Sequence, residues 1–208
     1  MILEACVETY QEALTAQNYG ANRIELCSHL ELDGLTPGTG LIEQVCADLK
    51  VPVMVMIRPR GGKFVYSEQE IKEMEQDIKL AKKMGADGIV LGLLTSDNQI
   101  DIENTSRLIK AASPLPVTFH KAIDAMEDPA EGVRQLLEVE GITRILTSGG
   151  KPTAFEGVSK IKEMMKVAAG KIIILVAGKV IHSNRDEIAA LTGATELHGR
   201  RIVGELSI

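Results

Sequence analysis

Eight short apolar runs rich in β-branched residues alternate with longer amphipathic stretches along the whole sequence, and few folds accommodate that alternation. The runs centre on Leu3 to Cys6, Arg23 to Cys27, Val53 to Arg58, Gly88 to Gly92, Val117 to His120, Arg144 to Thr147, Ile172 to Ala177 and Thr195 to His198. Strand, helix and strand in succession make a parallel βαβ unit, and repeating it gives either a doubly wound sheet or a closed (β/α)8 TIM-type barrel. Eight units favour the closed barrel. Seven helical stretches connect them, and the sequence ends at Ile208 soon after the last run, so the final helix is expected to be reduced or missing.

The connecting stretches carry their own start and stop signals. Ser67 with Glu70 three residues later forms a capping box that satisfies two orphan amide donors, and Ile71, Met74, Ile78 and Ala81 then share one helical face. Asp128 before Pro129 is an N-cap followed by proline at the first helical position, where the missing amide hydrogen costs nothing. Gly20-Ala21, Gly85-Ala86 and Gly193-Ala194 each close a helix just before a strand, a weak internal repeat. Val51-Pro52 and Leu115-Pro116 introduce two other strands. No Ser-rich, Pro-rich or charge-block linker interrupts residues 1–208, which fit a single barrel domain.

Side chains alternate along a strand, so one parity faces the helices and the other the barrel axis. Glu4 and Cys6, Glu25 and Cys27, Met56 and Arg58, Thr118 and His120, and Glu196 and His198 fall on one parity, while the positions between them are mainly apolar. The acids, Arg58 and the histidines are therefore expected to point inward. Buried carboxylates need cations, hydrogen bonds or a ligand. Arg58, His120 and His198 are candidate partners for Glu4, Glu25 and Glu196, and the bland alternative is an ion-pair network that only fixes the barrel. Barrel enzymes work at the carboxyl ends of their strands, which makes Glu4, Glu25, Arg58, His120, Glu196 and His198 the candidate catalytic set.

Glycine-rich loops follow three of the strands: Arg58-Pro59-Arg60-Gly61-Gly62, Thr147-Ser148-Gly149-Gly150-Lys151 and Ala177-Gly178-Lys179. Converging amides there would form an anion nest, so Arg60, Thr147, Ser148, Gly149, Gly150 and Gly178 are candidate ligand-binding positions, with Arg58 and Arg60 available for bidentate contacts. Glycine at such a turn also has a purely geometric explanation. Cys6 and Cys27 lie on adjacent strands near one rim, where two thiolates suit a soft ion such as Cu(I), with His29 a nearby third donor. Buried cysteine is more often a small hydrophobe, and no C-x-x-C spacing is present. Cys46 falls in a helical stretch and reads as packing.

Negative charge disfavours nonspecific nucleic-acid or anionic-lipid binding: lysine and arginine total 23 against 29 acids, a formal net charge of −6. No apolar run is long enough for a membrane span, and the start, Met1-Ile2-Leu3-Glu4, has no basic region leading into an apolar stretch. Three widely spaced cysteines suit a reducing compartment, so the cytoplasm is the expected address. Without a Walker loop, dinucleotide fingerprint or nucleophile elbow, no nucleotide cofactor and no serine nucleophile are expected.

The sequence resembles the CutC copper homeostasis family over nearly its whole length. The resemblance is carried by Glu4-Ala5-Cys6, the run from Gly20 to Cys27, Gly34-Leu35-Thr36-Pro37, Met56 to Gly62 with Phe64-Val65-Tyr66, and Gly85 to Gly88. It continues through Val117 to Asp124, Arg144 to Gly149 and Glu196-Leu197-His198. It implies a barrel, a cytoplasmic location, a homo-oligomer and a copper-handling role with Cys6 and Cys27 as copper ligands. Lys121 stands where the family usually carries arginine, which keeps the charge but loses the planar fork, and Gly178-Lys179-Val180 replaces a turn richer in glycine and serine. Two functions follow: a Cu(I)-binding homeostasis protein, or a lyase, isomerase or hydrolase acting on a small anionic or phosphorylated metabolite at the barrel mouth. In the enzyme reading Arg58 and the Gly149-Gly150 amides hold the anion, His120 exchanges a proton, and Glu25 or Glu4 orients it or acts as base.

Overall fold

In the computed structural model, which describes residues 1–206, eight parallel strands follow one another in sequence order around a closed barrel. They are β1 (Ile2–Val7), β2 (Arg23–Leu26), β3 (Val53–Met56), β4 (Gly88–Leu91), β5 (Val117–Phe119), β6 (Ile142–Thr147), β7 (Ile173–Val176) and β8 (Glu196–Gly199). Pairing of β8 with β1 closes the ring and sets His198 opposite Glu4. Seven α-helices pack outside: α1 (Tyr10–Asn18), α2 (Thr39–Asp48), α3 (Glu68–Lys83), α4 (Ile102–Ala112), α5 (Pro129–Leu137), α6 (Ala154–Ala168) and α7 (Arg185–Thr192). Short 3-10 turns, Leu30–Leu32 and Lys121–Ala125, follow β2 and β5. Among the described residues no helix follows β8; instead Ile202, Val203 and Leu206 are buried in the outer core.

Local chemistry accounts for these boundaries. Ser67 accepts from the Glu70 amide while the Glu70 side chain accepts from the Ser67 amide, and Thr9 with Glu12 does the same for α1. Asp128 caps α5 through the Ala130 amide. Gly20, Gly85 and Gly193 take φ of 92°, 93° and 81°, a left-handed conformation in which a Cβ is strained, so one αβ turn serves three units. Strand β6 begins at Ile142, two residues before the expected start. Strand β3 stops at Met56 rather than Arg58, because the Arg58 amide and carbonyl bond to Thr36 instead of a neighbouring strand.

The two parities separate into two kinds of core. Ala5, Ile24, Leu26, Val55, Ile57, Val117, Phe119 and Leu197 join the helices in the outer core, where each large side chain taken from water contributes about 1.5–3 kcal/mol. Inside the barrel lie Cys6, Cys27, Met54, Met56 and Val90 on one side and Leu146, Leu175 and Ala177 on the other. Inward polar groups are thus set at two levels, below and above this apolar filling.

Candidate functional site

Glu196 opens β8 and Arg23 opens β2, so both lie at the amino-terminal floor of the barrel. Arg23 donates to Glu4 through Nε and to Glu196 through Nη2 at 2.5 Å, and Arg144 Nε meets Glu196 at 3.0 Å. Glu196, expected at the mouth, is therefore corrected to the floor: the first residue of a strand cannot reach the opposite rim. Its partners are Arg23 and Arg144 rather than Arg58, His120 or His198. Both arginines share the inward parity, Arg23 two residues before Glu25 and Arg144 two before Leu146, and extending the alternation rule to strand starts would have found them. Of the candidates, Glu4, Cys27, Arg60, Glu196 and the Thr147–Gly150 loop do not line the cavity at the mouth.

Glu4 joins the two levels. Its Oε1 lies 2.8 Å from His198 Nδ1, while its other oxygen faces Arg23. Burial pushes the Glu4 carboxyl up, but the His198 hydrogen bond and the Arg23 charge overcome it and hold the group down at about 2. His198 moves the other way: burial disfavours its charge, yet Glu25, Cys6 and Glu4 around it raise it well above the ordinary histidine value. Its Nε2 stands 3.7 Å from Glu25 Oε2.

Above this pair sit the two thiols. Cys6, near the end of β1, and Cys27, one residue past β2, bring their sulfurs to 4.0 Å, and Cys27 Sγ lies 3.4 Å from Glu25 Oε2. Cys6, Glu25 and Cys27 form one potential ligand group, and Glu4, Glu25 and His198 form another. The hydrogen bond from Cys27, helped by His198 and opposed by burial, lowers the Cys6 thiol to about 5. Cys27 is pushed well up by Cys6 and by burial, and burial likewise lifts Glu25 well above the usual carboxylate range. His29 is absent from this cluster: it is exposed and pairs with Glu31 at 2.9 Å. Cys46 lies on α2, its thiol raised to about 11 by burial.

A cavity of about 960 Å³ opens at the carboxyl ends of the strands and is lined by Cys6, Glu25, Arg58, His120 and His198, with Gly178 at its edge. Arg58 Nη1 donates to the carbonyls of Leu32, Asp33 and Gly34 at 2.8, 3.2 and 3.1 Å, and Nη2 to that of Gly62 at 3.3 Å. His120 caps the turn after β5 by accepting the Ala122 amide at Nδ1, and its ring lies where a Cβ on Gly92 would fall only 2.3 Å from that nitrogen. Three buried polar atoms of the residues lining this space have no partner, Glu25 Oε1, Arg58 Nε and His120 Nε2, and Thr118 Oγ1, level with Arg144 on the neighbouring strand, is a further orphan deeper in the barrel. Each such group costs about 1–3 kcal/mol unless a ligand or water satisfies it.

The glycine loops turn out differently. Arg60 donates to Glu70 at 2.5 Å and to the carbonyls of Lys63 and Val65, which commits its fork to its own loop. The amides of Ser148 and Gly150 donate to Asp124 at 2.9 and 2.8 Å, Thr147 Oγ1 bonds Asp124, and the Gly149 amide bonds Thr147 Oγ1. The nest expected for an external anion is filled by the protein's own carboxylate. Asp124 lies four residues after His120 in the 3-10 turn, and no periodic pattern marks it.

The CutC family model matches residues 1–203. The chain belongs to the CutC family. It is 45% identical over 197 residues to the copper homeostasis protein cutC homologue of Homo sapiens, covering 95% of this chain and 72% of the human protein. The family protein CutC of Enterococcus faecalis is 43% identical over 210 residues, covering 98% of this chain and all of that protein. Among solved structures, a CutC protein of Streptococcus agalactiae superposes with a TM-score of 0.91 at 37% identity, covering 97% of this chain and 99% of the other. The barrel is thus the family's fold. No helix among the described residues is long and apolar enough to cross a membrane.

Proposed function

We propose that this CutC family member binds Cu(I) as cargo through Cys6 and Cys27. The observation that carries the reading is the 4.0 Å between the two sulfurs beside the barrel mouth. Two metal–thiolate bonds of about 2.3 Å span at most about 4.6 Å, so one ion can engage both sulfurs. The donors are soft, Met54 and Met56 pack in the same cluster, and the low Cys6 thiol supplies one thiolate at neutral pH. Binding would release the Cys27 proton. Titration under reducing conditions against a Cu(I) chelator tests this. Cys6→Ser and Cys27→Ser should each weaken binding by more than the roughly 10–100-fold that losing an outer-shell partner costs. Cys46→Ser should bind as the parent does. Equal affinity in all four proteins would overturn the site.

A second reading, an enzyme acting on a small anionic metabolite, is favoured by one observation: buried Arg58 has no carboxylate partner among the described residues. In that reading Glu25, Arg58, His120 and His198 face the ligand, while Glu4 holds His198 from behind.

A further inference from the structure

One buried guanidinium, that of Arg58, has no carboxylate partner among the described residues. Arg58 is 3% exposed; its Nη1 is saturated by three carbonyls and its Nη2 engages a fourth, which leaves the Nε edge without a partner. Carbonyl dipoles hold the group in place but leave its charge unneutralised. The guanidinium lies 5.0 Å from the centre of the Phe64 ring, whose centre is 5.1 Å from that of His120, so one aromatic side chain flanks both polar groups.

His120 supplies a different kind of donor. Because Nδ1 accepts the Ala122 amide, the neutral ring carries its proton on Nε2, and Nε2 is the atom left without a partner. Burial, with Arg58 nearby, lowers this histidine to about 3, so the ring stays uncharged in neutral solution. The recess therefore offers one fixed positive charge and one uncharged N–H. Three other cations at the mouth are paired, Lys121 with Asp124 at 3.2 Å, Arg200 with Glu8 and Glu12, and Arg201 with Glu205. Lys179 is exposed at the rim. With the amide nest filled by Asp124, the recess lacks the multiple donors a phosphate dianion calls for.

We propose that Arg58 and His120 form a subsite for a small 2-oxygenated monocarboxylate, a 2-oxo or 2-hydroxy acid. The guanidinium takes the carboxylate, and His120 Nε2–H takes the adjacent neutral oxygen. The subsite rests on the reading that the mouth binds a small anion and stands apart from the thiol pair. A carboxylate on the Nε edge meets a charge-assisted donor, and a second oxygen at His120 removes the other orphan.

Calorimetric titration of the reduced, metal-free protein with pyruvate, lactate, propionate and inorganic phosphate tests it. Pyruvate or lactate should bind roughly tenfold more tightly than propionate, the worth of about one hydrogen bond. Arg58→Gln should lose every carboxylate. His120→Leu should erase the preference over propionate, and His120→Gln, which restores an N–H, should recover part of it. Phosphate binding with no carboxylate binding would overturn the proposed class while leaving the anion reading intact; no binding by any of the four would overturn both. If Arg58→Gln does not fold, Arg58→Lys serves: it keeps the charge without the fork, and parental affinity in it would contradict the Nε contact.

Discussion

At the floor of the barrel two carboxylates, Glu4 and Glu196, meet two guanidinium groups, Arg23 and Arg144. At the mouth a guanidinium, Arg58, has no carboxylate partner among the described residues, and buried atoms of Glu25 and His120 meet nothing. Both levels use the same inward parity and the same residue types. The difference is completeness: the floor satisfies its own charges and thereby fixes the closure of β8 on β1, whereas the mouth leaves buried polar atoms without a protein partner beside a pair of thiols. A buried charged residue is thus informative about function when its partner is missing, not merely when it is buried.

The largest expected effect tests the floor. Arg23→Ala strips the shared cation from Glu4 and Glu196 and should destabilise the fold by about 3–5 kcal/mol, the cost of leaving a buried partner uncompensated. Denaturant unfolding reads it. A loss below about 1 kcal/mol would mean that the floor is as incompletely paired as the mouth, and the contrast would fail.

A smaller effect sharpens the mouth. His120 is neutral in the fold down to about pH 3 but takes up a proton near pH 6.5 when unfolded, so its stabilisation is complete above about 6.5 and is lost as pH falls toward 3. The raised Glu25 acts in the opposite sense: its stabilisation is present at low pH and lost as pH rises through the folded value. The informative quantity is therefore a difference. Relative to the parent, His120→Asn should gain up to about 1.4 kcal/mol per pH unit between about pH 6 and 5. A difference that stays flat with pH would show that His120 is not held neutral, and the charged-plus-neutral donor pair would lose its second member.

Much of the architecture was legible because it follows from periods and caps. The alternation of parity placed Glu25 and His120 inside rather than under the helices, and the Ser67 and Asp128 signals marked two helix starts. The same rule stopped short at Arg23 and Arg144, which obey it but were not paired with the acids. Height along the barrel was the harder quantity: parity says which face a side chain takes, not how far up the axis it sits, and Glu196 consequently moved from mouth to floor. The Ser148 and Gly150 amides were expected to await a ligand, but Asp124 fills them, a tertiary contact across 24 residues or more that local sequence cannot express. Phe64, which flanks Arg58 and His120, comes from a loop with no periodic signature.

The sulfur pair is the most direct point of contact between geometry and function. X-ray absorption at the copper K-edge, taken on the protein loaded with an equimolar amount of Cu(I) under reducing conditions, reports the donor atoms themselves. Coordination by two sulfurs is expected, with that signal lost in the Cys6→Ser/Cys27→Ser double variant and retained in Cys46→Ser. A shell of nitrogen and oxygen donors in the parent, or the same sulfur signal in the double variant, would contradict the assignment of copper to the mouth of this barrel.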